Sequence, residues 1–258
     1  MIDITKEHLI ELFGKGFRLD GRKFDEYRKI NVEYGISSRS AEGSARVKIG
    51  KTEVVAGVKL EIGKPYSDRP DEGSIMVSME FLPLSNPEFE SGPPGIDSIE
   101  LSRVVDRAIR EGKALNFKKL CIKPGEEMWT IMIDIYPIND DGNLFDAASL
   151  AALAALKDAK YPKVDDHGKV KYQDLSNDKL PLEKLPLSCT VYKTGNTFLV
   201  DPNTEEEAVT EARLTIGVLE NGELCSLQKG GNEGLTPEDI DLMVDIAIKK
   251  TKEMRKAL

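Results

Sequence analysis

Histidine and cysteine are nearly absent from this sequence. Only His8 and His167 occur in 258 residues, so acid–base or metal chemistry built on histidine is not expected on supply alone. Cys121, Cys189 and Cys225 lie far apart with no paired spacing. That argues against a disulfide framework or a zinc site and fits a reducing, cytoplasmic setting. No metal and no cofactor are called for. Long apolar runs are missing as well: the longest stretch of apolar or small residues, Ala147–Leu156, is too short to span a bilayer, so no membrane role is expected. The opening MIDITKEHLIELFGKG has neither a basic n-region nor a cleavage site, so no secretion signal is visible. A basic excess is also lacking. The formal net charge of −9 argues against general coating of nucleic acid, and any RNA contact must come from a concentrated basic patch.

What is present suffices for a large core, since 40% of the residues are hydrophobic. The organising stretch runs from Met128 to Tyr161. MWTIMIDIYPI reads as a buried strand, NDDGN as a tight turn, and LFDAASLAALAALKDA as an apolar helix packed closely against a sheet. The turn at Asn139–Asn143 sets backbone N–H groups at that helix's N-terminal end, a natural place for an anion.

Around it, residues 3–13 predict a short helix capped by Asp3 or Thr5, and RLDGR at 18–22 a turn. Strands are expected near 30–34, over 44–60 as a hairpin, and from Ile75 to Phe81. Residues 83–98 read as a long exposed loop, leading to a helix over 99–115 capped by Asp97 or Ser98. A polar segment at 161–186, with Pro162, Pro181 and Pro186, suggests a connector. Further strands follow it, with a turn at Asn221–Gly222, and a closing helix capped by Thr236. The plan is strands then helices, twice over. The expectation is an α+β fold with an N-terminal helical extension (1–27), a first half (28–160), the connector (161–186) and a second half (187–258), each half covering one sheet face with helices.

Three places could carry chemistry. On the helix over 99–115, Arg103, Arg107 and Arg110 share one narrow sector opposite Leu101, Val104, Val105 and Ala108. Ion pairs such as Asp106–Arg110 and Arg107–Glu111 would make this a solvated face; aligned guanidinium groups beside a long loop also suit phosphate. The acidic run Asp201, Glu205, Glu206, Glu207 and Glu211 could supply a general acid or hold magnesium, although a solvated turn explains it as well. Gly50-Lys51-Thr52 imitates the end of a P-loop. Position 45, where that loop's first glycine belongs, is Ala, and no helix follows, so this reading is rejected.

RLDGR (18–22), EGSARVKIGKTEVVAGVK (42–59), IELSRVVDRAIRE (99–111), the strand-DDGN-helix segment (131–156) and DPNTEEEAVTEARLTIGV (201–218) together resemble the ribonuclease PH family. The likeness spans nearly the whole chain in order. The N-terminal helix, the long loop and DIYPINDDGNLFDAASLAALAAL are similar to the branch that forms the non-catalytic subunit of the archaeal exosome. The resemblance implies a ribonuclease PH-like fold and phosphorolytic 3′-5′ RNA degradation by the assembly. It also implies a catalytic ribonuclease PH-like partner in a trimer of heterodimers, RNA-binding cap proteins, and single-stranded RNA as ligand.

It further implies that the family's phosphate-binding pair falls on Leu144 and Phe145, which offer no guanidinium and no hydroxyl. The family's two aspartates fall on Glu207 and Arg213, the second with reversed charge. Arg103 and Arg107 match a stretch expected to grip RNA, and Arg110 shares their face. The expected function is a non-catalytic RNA-binding subunit. An active phosphate-dependent exoribonuclease relying on Glu207, or a purely structural ring component, are the alternatives.

Overall fold

The computed structural model describes residues 6–165 and 170–258; Asp3, Thr5 and His167 lie outside them. Helix α1 (Lys6–Gly14) is followed by strands β1 (Ile30–Tyr34), β2 (Gly43–Ile49), β3 (Thr52–Gly63) and β4 (Ser74–Met79). Helix α2 (Ile96–Glu111), β5 (Cys121–Lys123), β6 (Glu127–Asn139) and helix α3 (Leu144–Asp158) complete the first half. A hairpin, β7 (Lys160–Val164) and β8 (Val170–Lys179), leads to β9 (Leu187–Thr194) and β10 (Thr197–Val200). Helix α4 (Thr204–Ala208), β11 (Ala212–Val218), β12 (Leu224–Gly231) and helix α5 (Pro237–Met254) follow.

The first sheet has the order β1-β2-β3-β6-β4, with β5 on β6; only β4–β6 is parallel. Strict alternation in β2 and β3 sends Val47, Ile49, Val54, Ala56, Val58 and Leu60 to one face, all fully buried. The second sheet has the order β10-β9-β11-β12.

Helix α3 lies between the two sheets, against β2 and β3 on one side and β9 on the other. Each half covers a sheet face with helices, as expected, and α3 serves both sheets at once. Being contacted from both sides explains why the helix is apolar all round, with every residue from Leu144 to Leu156 buried. Its alanines admit close packing, and Gly43 of β2 does the same: a Cβ there would lie 2.4 Å from Ala159 Cα. The helix is pinned to β9 by polar contacts, Ser188 N–H donating to Ser149 Oγ at 3.0 Å and Thr190 N–H to Asp146 Oδ1 at 2.8 Å.

Three local expectations are corrected. Helix α2 starts at Ile96, with Gly95 as N-cap and no side-chain cap. Asp97 and Ser98 are therefore inside it, and Ser98 Oγ donates back to Gly95 O. The helix ends at Glu111 because Lys113 takes a left-handed φ of 50°. Much of the polar segment 161–186 is the β7–β8 hairpin, whose exposed lysines and acids alternate with few buried residues and so hide its strand period. The acidic run contains α4, closed by a reciprocal capping box between Asn203 and Glu206. Helix α5 has the expected cap, Thr236, paired reciprocally with Asp239.

Candidate functional site

The acidic run divides between structural and cleft-facing roles. Asp201 and Glu206 are fully buried, and arginines from the segment ahead of β1 neutralise them. Arg18 grips Glu206 through Nε (2.9 Å) and Nη2 (2.5 Å), and donates to the Val200 and Asp201 carbonyls. Asp201 accepts from Arg22 Nη1 at 2.9 Å, Arg28 Nη2 at 2.7 Å and Asn143 Nδ2 at 3.0 Å. RLDGR is thus a strap across the second half rather than only a turn. The signal was present in two arginines, Arg18 and Arg22, with Arg28 close behind. Glu211 accepts from Gly195 N–H at 2.7 Å. Neither Asp201 nor Glu211 lines the cleft at the foot of α3.

Glu207 does line that cleft. Gly142 (φ 81°) and Asn143 (φ 61°) turn the chain into α3 with left-handed backbone, and the Asn143 N–H then donates to Glu207 Oε2 at 3.0 Å. The anion at this helix N-terminus is the protein's own carboxylate. Tyr192 Oη donates to its other oxygen at 3.2 Å. Burial pushes the Glu207 carboxyl up from its usual range, against the pull of the Asn143 N–H.

Leu144 and Phe145 form the floor of the same cleft, both 8% exposed. Arg213 lies with its guanidinium carbon 4.2 Å from the Phe145 ring centroid and pairs with Glu100 of α2 at 2.8 Å. Its Nη1 is buried without a hydrogen-bond partner, packed where a Cβ on Gly230 would stand. A glycine opposite Arg213 in β12 is what lets the guanidinium lie flat. Glu100, Asp97, Asp140, Phe81 and Phe89 complete the wall. Sequence reasoning gave none of the five a role in this cleft: Asp140 appeared only within the turn at 139–143 and Asp97 only as a candidate cap, while Glu100 lies three residues before Arg103 on the same face of α2.

A second cleft, of about 90 Å³, adjoins the first across Glu100 and is lined by Arg103, Val104 and Arg107 of α2 and by Ser226 and Gln228 of β12. Arg103 and Arg107 are exposed, and among the described residues neither is held by a carboxylate; the Arg107–Glu111 pair does not form. Arg110 stands apart. Its guanidinium is committed to Asp106 (2.8 and 3.2 Å) and to the Ile75 carbonyl (3.0 Å), and it lines a different depression beside Lys113 and Lys118.

The sequence profile described as 3′ exoribonuclease family, domain 1, matches residues 26–162, and that of domain 2 matches residues 184–250. The chain belongs to the ribonuclease PH family of 3′ exoribonucleases. This ribonuclease PH-family chain is 44% identical to the exosome complex component Rrp42 of Methanothermobacter thermautotrophicus, over 98% of its own length and 93% of the relative's. It is 43% identical to that of Methanocella arvoryzae, over 99% and 96%. Among solved structures it superposes on a chain of the Archaeoglobus fulgidus exosome with RNA bound to the active site, with a TM-score of 0.91 and 42% identity, covering 98% of this chain and 97% of that one. A chain of an archaeal exosome core gives 0.87 and 39%, covering 98% and 96%. A rice Rrp46 structure, at 20% identity and 0.70, shares the fold. The expected α+β, ribonuclease PH-like fold is borne out. Among the described residues no helix is long and apolar enough to cross a membrane.

Proposed function

We propose that this chain is the non-catalytic, RNA-gripping subunit of an exosome ring. Three copies alternate with three catalytic ribonuclease PH-like partners, and RNA-binding cap proteins sit on one face. The ring degrades single-stranded RNA from its 3′ end by phosphorolysis, and this chain completes its partner's site without performing the reaction itself.

The observation that carries the reading is the composition of the cleft at the foot of α3. A phosphate dianion there would meet Leu144 and Phe145, which donate nothing. It would also meet Glu207, which already occupies the Asn143 N–H, and Arg213, whose charge is committed to Glu100. Repulsion from Glu207 and the lack of a free guanidinium both oppose phosphate. The active-exoribonuclease alternative keeps only the Glu207 carboxylate in its favour, with Arg213 opposing it.

RNA contact is assigned to Arg103 and Arg107, two exposed guanidinium groups that flank a polar cleft and are free to pair with phosphate oxygens. Arg110 is left out because its donors are spent on Asp106 and Ile75. The net acidity of the chain is compatible, since only this ridge needs to be basic.

The test is Arg103→Glu with Arg107→Glu in the assembled complex. RNA binding at moderate salt should weaken by at least tenfold with assembly intact, and the salt dependence should become shallower as phosphate contacts are lost. Unchanged RNA binding would favour the purely structural ring component instead.

A further inference from the structure

The cleft at the foot of α3 is charged for the opposite kind of ligand. Asp97, Glu100, Asp140 and Glu207 line it, and its one cation, Arg213, is already paired with Glu100. Asp140 accepts from Asn86 Nδ2 at 2.9 Å and Gly142 N–H at 3.0 Å, both neutral donors. Glu207 likewise accepts only from a backbone N–H and a phenol. Asp97 is exposed at the cleft mouth and forms no ion pair among the described residues. Three carboxylates therefore share about 250 Å³ of open space with no cation of their own.

The walls are aromatic. Phe145 carries the Arg213 guanidinium, and on the loop side Phe81 and Phe89 stack at 4.2 Å with planes 13° apart. Among the described residues no cation lies over that pair. The cleft thus contains one built example of a guanidinium held between an aromatic face and a carboxylate, and a second set of the same parts left open. It runs on along the loop past Glu88 and Glu90, a shape suited to a chain segment rather than to a compact ion.

We propose that this cleft is a docking pocket for an arginine side chain of a neighbouring polypeptide. The guanidinium lies over the Phe81–Phe89 pair and is paired by Asp97 and Asp140. A planar cation that stacks and presents a fork of donors fits these parts better than a compact, strongly hydrated ammonium. Glu100 then divides two adjoining clefts of opposite charge: Arg103 and Arg107 attract phosphate on one side, and the carboxylates repel it on the other. The family's anion pocket has become a cation pocket that joins the chain to a neighbour. The polypeptide occupant rests on the subunit reading above, whereas the cation chemistry stands without it.

The experiment labels the eight phenylalanines with 4-fluorophenylalanine, identifies the Phe81 and Phe89 signals by Phe→Tyr replacement, and titrates the full chain with N-acetyl-arginine amide. Saturable shifts of both signals are expected. The neutral isostere N-acetyl-citrulline amide should bind at least tenfold more weakly, and inorganic phosphate should leave both signals unmoved. Asp97→Asn, at an exposed position with no ion pair among the described residues, should weaken arginine binding severalfold. In the assembled complex the response should vanish because the pocket is filled.

Equal response to citrulline, response to phosphate, or no response from the free chain overturns the proposal. A full response retained in the assembled complex overturns the polypeptide occupant. Arg103→Glu with Arg107→Glu should not weaken the arginine response, so failure of the RNA reading and failure of this one are read separately.

Discussion

The Asn143 N–H donates to Glu207 Oε2 at 3.0 Å, so the left-handed turn that opens α3 is satisfied by a carboxylate from the other half of the chain. This bond joins the two halves at the foot of α3. Glu207→Ala leaves a buried N–H without its acceptor and should cost about 1–3 kcal/mol in urea unfolding. Glu207→Gln keeps an acceptor carbonyl and should cost less. Equal costs for the two would show that the bond contributes nothing to stability.

The Gly142 turn is fixed by shape. Its φ is 81°, and a Cβ would stand 2.5 Å from the Pro202 carbonyl oxygen. Gly142→Ala should lose about 1–2 kcal/mol from backbone conformation alone, with the close contact adding to it. An unchanged denaturation midpoint would contradict this.

Arg18 and Glu206 form a buried pair with both side chains inaccessible. Arg18→Met strands a buried carboxylate and should cost about 3–5 kcal/mol. A double-mutant cycle with Glu206→Gln should show strong coupling, since each single change removes the same interaction. Additive costs would mean that the strap acts through the Val200 and Asp201 carbonyls alone.

Asp146 governs a pH dependence. It is fully buried, accepts from Tyr27 Oη at 2.6 Å and Thr190 N–H at 2.8 Å, and burial pushes its carboxyl up from 3.8 to about 7, against those hydrogen bonds. The unfolded chain therefore releases this proton first, and stability falls as pH rises from about 4 to about 7, levelling off above. The full penalty is on the order of 4 kcal/mol. Asp146→Asn never ionises, so its stability relative to wild type should climb across that window and be flat beyond it. A difference curve that is level from pH 4 to 8 would show that Asp146 titrates normally.

The apolar and small residues made the frame legible. The hairpin over 44–60, the buried strand ahead of the turn at 139–143, that turn and the Thr236 cap of α5 were all readable because their composition or local chemistry is strong. The position of α3 between two sheets was legible only as apolarity on every side, which says that the helix is buried but not by what. The β7–β8 hairpin and α4 were missed because one is largely solvated and the other is five residues long, so neither carries a clear hydrophobic period. At the site, the family likeness led to Leu144, Phe145, Glu207 and Arg213, and the structure gathers all four at one cleft. Asp97, from the first turn of α2, and the Phe81–Phe89 pair, from the segment between β4 and α2, are distant in sequence from α3, and only the fold brings them there. Arg110 shares a helix face with Arg103 and Arg107. Half of its commitment, the i,i+4 pair with Asp106, was legible from helical spacing; the other half, the Ile75 carbonyl of β4, was not.

The measurement that bears most directly on the account is phosphorolysis by the purified chain alone. Incubated with single-stranded RNA and inorganic phosphate, it should release no nucleoside diphosphates. Robust, phosphate-dependent release that disappears in Glu207→Gln would contradict the account and return the cleft at the foot of α3 to catalysis.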